Sequence, residues 1–154
     1  MFDELLLELE NMNENDRNSC CILGLERCAF VVEVLFRDME HERRRLLEGT
    51  SRLVGVNGSI PASSARGVRQ ALDEFEVNQS IDALAHRLLG RKKSLLRGAS
   101  KAQFLELCRE YSETAIPIRE RIRMLLRLMN QLTFRLYGVT AAEAEQIGHE
   151  TEGL

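Results

Sequence analysis

The chain has no tryptophan, only two prolines in 154 residues, and 5% aromatic residues. Sheet sandwiches draw on β-branched and aromatic runs, so this scarcity argues for helices. No stretch approaches the roughly 20 consecutive apolar residues that a membrane span needs. The first residues, MFDELLLELE, are acidic and lack the basic start of a secretory signal, so the expected location is the cytoplasm. The phosphate-cradling patterns G-x-x-x-x-G-K-[ST] and G-x-G-x-x-G are missing, as are G-x-S-x-G and any cysteine beside a histidine. Without these there is no sequence basis for nucleophilic catalysis or nucleotide binding, and the chain reads as non-enzymatic. Cys20, Cys21, Cys28 and Cys108 have no C-x-x-C zinc spacing and read as reduced thiols. Di-iron bundles need paired Glu-x-x-His motifs. Here a single Asp38-x-x-His41 stands alone, so no metal and no cofactor is expected.

What is present is periodicity. Phe104, Cys108, Tyr111, Ala115, Ile118, Ile122, Leu125, Met129, Leu132 and Leu136 follow alternating steps of four and three. That is the seam of a helix packed lengthwise on another helix. Ser100 to Gly138 therefore reads as one long helix, kinked at Pro117, roughly 57 Å long at 1.5 Å per residue. Ser100 and Gln103 are spaced as an opening capping box, and Gly138 is placed to stop the helix. Thr140 and Glu143 form a second box that opens a short helix at about 141–149.

A second seam runs through Cys21, Leu25, Cys28, Val32, Leu35, Met39 and Leu46, with Glu42 at the missing beat. Ile22, Ala29 and Phe36 are expected to widen its buried face, and Gly49 to end it. A short helix at about 2–12 precedes it, followed by a polar break at 11–16. Residues 50–62 read as a loop, with a brief extended piece at 53–56. A further helix is predicted from Ser63 or Ser64 to Leu89, with a break in apolar phase between Phe75 and Val77. Gly90 ends it, and Leu95 and Leu96 are expected to anchor the next turn. The expected fold is all-α: a single helical-bundle domain over 1–154, with four principal helices and a short C-terminal one. The two seamed helices form its antiparallel core pair.

Charge is segregated. Residues 1–16 carry six acids and no base, and 139–154 carry four acids and no base. The stretch between them has an excess of seven bases, and eighteen of the 21 bases in the chain are arginine. Arginine suits carboxylate and phosphate partners through its bidentate geometry. Residues 87–101 carry six bases and no acid. Within them Arg91, Lys92, Lys93, Arg97 and Lys101 are the candidates for contact with nucleic-acid phosphates or an acidic partner. Arg43 to Arg45, Arg119, Arg121, Arg123 and Arg127 could also meet phosphates. Glu106, Glu110 and Glu113 share a helix face with Arg109 and read as an ion-pair ladder.

Near the end, Asn130-Gln131-Leu132-Thr133-Phe134-Arg135-Leu136-Tyr137-Gly138-Val139-Thr140, then Glu143 and Ile147, resembles one known tail. It is similar to the C-terminal tail of adenine-specific DNA methyltransferases of combined restriction–modification enzymes. The resemblance covers about 20 residues of the chain, in a part that is structural in that family. The Asn-Pro-Pro-Tyr catalytic motif and the glycine motif for the cofactor are absent, so the resemblance implies an accessory helical piece in a DNA-modification or phage-defence setting. The function expected from the whole is an interaction module that binds a protein partner or itself. The alternative is a nucleic-acid-binding accessory factor using 87–101.

Overall fold

The computed structural model describes residues 17–55 and 64–151, and every regular element among them is helical. The helix expected at 2–12 and the polar break at 11–16 lie outside these residues. The elements are α1 (Arg17–Leu53), α2 (Ala65–Asn78), α3 (Ile81–Leu89), a 3-10 turn (Gly90–Leu95), α4 (Ala99–Leu136) and α5 (Ala141–Thr151). No helix among the described residues is long and apolar enough to cross a membrane. Two compact units are formed. Of the described residues, 17–35 and 121–151 belong to one, and 36–55 and 64–120 to the other.

In the unit formed by 36–120, Leu46, Leu72, Phe75, Leu84, Leu88, Phe104, Cys108 and Tyr111 make one apolar cluster. Phe75 and Tyr111 stack with ring centroids 6.0 Å apart. Gly49 does not stop α1, which continues to Leu53. Its missing side chain admits Leu107 of α4: a Cβ there would lie 2.7 Å from Leu107 Cδ1. Arg45 reaches Glu110 at 3.3 Å, so within this unit α1 and α4 run antiparallel. The stop comes later. Gly55 takes a left-handed φ of 67°, and its N–H donates to the Arg52 carbonyl. Leu53 to Gly55 thus close a helix instead of opening an extended piece.

The single helix expected over 64–89 is two. Ser64 caps α2 by accepting from Gly67 N–H, and Gln79 ends it at φ 55°. The cause is the phase break. Phe75 is buried while Val77 is 63% exposed, and the apolar register restarts at Ile81, Leu84 and Leu88 of α3. Gly90, at φ 50°, ends α3. In the turn that follows, Leu96 packs on the core but Leu95 stays exposed. Ser100 does not form the expected capping box, because α4 already starts at Ala99. Its hydroxyl turns back instead, accepting from Arg97 N–H and facing the carbonyls of Leu95 and Arg97.

The seam of α4 is buried through Phe104, Cys108, Tyr111, Ala115 and Ile118, and continues in the other unit with Ile122, Leu125 and Leu132. Met129 and Leu136 on it are half-buried. Pro117 sits inside the one continuous helix. In the unit that includes 17–35, α1 buries Cys21, Cys28, Val31, Val32 and Leu35, with Leu25 half-buried. The second row expected to widen this face points outward. Ile22 is 48% exposed and Ala29 is exposed too, and Phe36, in the unit formed by 36–120, is 44% exposed. One residue is about 100° of helix turn. A row one step from the seam therefore stays out of a narrow stripe.

α4 ends in a Schellman motif at Gly138, φ 67°: Val139 N–H donates to Phe134 O at 2.9 Å and Gly138 N–H to Arg135 O at 3.2 Å. α5 opens with the predicted capping box. Thr140 N–H donates to Glu143 Oε2 at 2.8 Å, and Glu143 N–H donates back to Thr140 Oγ1 at 3.4 Å. Hydrogen bonds from Thr140 hold the Glu143 carboxyl below its ordinary range.

Candidate interaction surfaces

The unit formed by 36–120 buries a charge. The Glu76 side chain, on α2, is 1% exposed. Arg43 of α1 grips it with both arms, Nε to Oε1 and Nη2 to Oε2, each at 3.0 Å. Arg119 of α4 donates to Oε2 at 3.1 Å and to the Asp73 carbonyl at 2.9 Å. The Tyr111 hydroxyl donates to Oε1. A buried carboxylate is tolerated only when its lone pairs are filled, and these four bonds fill them. Arg43 also binds Asp73 Oδ1 at 2.5 Å and Glu40 Oε1 at 3.1 Å. Burial alone would lower the Arg43 pKa, but Glu76 outweighs it and the pKa rises. Burial, and then the neighbouring Glu76 carboxylate, raise that of Tyr111.

This cluster was not visible as a site in the sequence, although both of its defects were. The missing beat in the α1 seam is Glu42, and Arg43 beside it turns inward. The phase break in α2 flanks Glu76 itself. Arg43 and Arg119, considered above for phosphate contact, are spent on this carboxylate.

Beside the cluster, α1 and α2 border an open groove of about 630 Å³. Leu47, Val68 and Leu72 line it, together with Arg43, Arg44, Arg66, Arg69 and Glu40. Glu40 binds Arg69 at 3.2 Å as well as Arg43. Arg44 and Arg66 have no ion pair among the described residues. Nine residues of two helices thus place cations and aliphatic groups side by side.

Of the five candidates in the basic segment, Arg91, Lys92 and Lys93 lie on the 3-10 turn, Arg97 in the link that follows it and Lys101 in the first turn of α4. Lys93 pairs with Asp82 at 3.2 Å, and Arg87, in the same segment, pairs with Glu74. Arg91, Arg97 and Lys101 are exposed and Lys92 is half-buried, with no ion pair among the described residues. The Glu106–Arg109–Glu113 ladder is formed, with Arg109 donating to both acids. No group of three or more His, Cys, Asp or Glu among the described residues is arranged to hold a metal ion.

The unit that includes 17–35 offers a different surface. Ile22, Leu23 and Phe30 of α1 stand 48%, 46% and 61% exposed. Leu23 and Phe30, two helical turns apart, lie on the side away from Cys21 and Cys28, and Ile22 flanks them.

Comparison of the chain with protein-family models, curated proteins and solved structures finds no match.

Removing Glu76 would leave the buried Arg43 guanidinium and the partly buried one of Arg119 without their shared counter-ion. Glu76→Ala is expected to cost about 3–5 kcal/mol of stability in urea unfolding. Arg69→Ala, which breaks one exposed pair, is expected to cost less than about 1 kcal/mol. Burial also pushes the Cys108 thiol up to about 12 from an ordinary 9.0. The unfolded chain releases this proton first, so above about pH 9 it binds fewer protons than the native state and stability falls as pH rises. Tyr111 acts in the same direction. Melting temperatures between about pH 8 and 11 are expected to decline.

Proposed function

We propose that the chain is a non-enzymatic helical interaction module that binds protein, either a partner or a second copy of itself, through the outward face of α1. One observation carries the reading: three large apolar side chains, Ile22, Leu23 and Phe30, stand about half exposed within nine residues of one helix. Leaving such groups in water forgoes roughly 1.5–3 kcal/mol for each that a partner would fully bury. Exposed apolar surface of this kind marks association sites in proteins of this size. A resemblance of residues 130–147 to a methyltransferase tail points to an accessory role in DNA modification or phage defence.

A photo-reactive benzoyl-phenylalanine at position 30, in the full chain and in its native cells, tests this. It is expected to give a discrete covalent adduct, whose mass distinguishes a second copy from another protein. The same group at Arg52, whose side chain is 82% exposed, is the control and should give none. No adduct from position 30, or the same adducts from both positions, contradicts the reading.

A further inference from the structure

We propose that the groove between α1 and α2 is a second binding site, one that takes an acidic, leucine-bearing segment of a protein partner. It stands on different residues from the α1 face above and does not depend on it.

The first support is charge. Arg44, Arg66 and Arg69 border the groove, and the first two have no ion pair among the described residues. The groove also meets the first turn of α2, where Ala65 and Arg66 line it. That turn carries no acid, so the positive end of the helix dipole adds to the arginines instead of being neutralised. The one carboxylate in the lining, Glu40, is already held by Arg43 and Arg69.

The second support is the aliphatic part. Leu72 in the lining is itself buried in the core, so the aliphatic surface that the groove offers beside the cations is that of the half-buried Leu47 and Val68. An inorganic anion would use the arginines and leave these groups in water. A ligand with carboxylates and branched aliphatic side chains on one face would use both. Arg66 and Arg69 are three residues apart on α2, a spacing that matches acids one turn apart on a facing helix.

A nucleic-acid strand fits less well. No aromatic residue lines the groove to stack a base, and Glu40 places a carboxylate in the lining.

The test uses the full chain and a labelled synthetic helical peptide carrying Glu and Leu at one-turn spacing. Fluorescence anisotropy is read at about 50 mM and 300 mM salt. The controls are a Lys/Leu peptide, a Glu/Ser peptide and a 15-nucleotide oligothymidine, all of matched length. Binding of the Glu/Leu peptide is expected to weaken with salt. It should fall about tenfold or more in the double variant Arg44→Glu, Arg66→Glu. Both arginines are exposed and have no ion pair among the described residues, so this variant should keep the helicity and melting temperature of the parent. The neutral single variant Arg66→Gln should give a smaller loss in the same direction. Equal binding by parent and variants overturns the proposal, as does Glu/Ser binding as tight as Glu/Leu. Oligothymidine bound more tightly than Glu/Leu, and lost in the same double variant, overturns it in favour of a nucleic-acid site.

Discussion

A carboxylate taken out of water dictates what can stand around it, and Glu76 does this for the unit formed by 36–120. Its four hydrogen bonds come from α1 and α4, while it sits on α2 itself. Apolar side chains tolerate sliding and repacking, but a buried charge with fixed donors does not. A shift of α1 along α4 by one turn would keep apolar side chains against apolar side chains and separate Arg43 from Glu76. The network thus selects one register among several that the apolar seams permit. Such register-setting is a known use of buried polar groups, at a cost in stability relative to an all-apolar core.

The same arrangement accounts for the groove. Arg43 turns inward to Glu76, and Arg44, about 100° further round α1, faces out. On α2 the inward positions Leu72, Phe75 and Glu76 leave Arg66 and Arg69 on the outer side. Glu40 lies one turn before Arg43 and joins inner to outer, binding Arg43 and Arg69 at once. On α1, a cation that neutralises the core and one without an ion pair among the described residues, Arg43 and Arg44, therefore occupy adjacent positions.

Much of the fold was legible in the sequence, wherever one local rule acted alone. The α4 seam is such a case, because a strict alternation of steps has one helical reading. The Gly138 stop and the Thr140–Glu143 box are others, since each is closed by residues within five positions of one another. The misses occur where a distant contact overrode the local signal. Gly49 looks like a helix stop, but its use is to let Leu107 approach. Ser100 and Gln103 have capping spacing, yet the preceding turn claims the Ser100 hydroxyl. Ile22, Ala29 and Phe36 share a row beside the seam, but nothing in one helix's pattern says how wide its partner is. Glu76 and Arg43 are 33 positions apart, and periodicity registers each only as an interruption. Two interruptions in otherwise regular seams were the available trace of a buried ion pair.

The central claim is that Arg43 is locked onto a buried carboxylate in solution. Solvent exchange of arginine Nε–H protons, followed by NMR in the folded full chain, tests it directly. The Arg43 proton, donated to Glu76 Oε1, is predicted to exchange far more slowly than that of Arg44, which is exposed and has no ion pair among the described residues. Equal exchange at the two arginines would contradict the account.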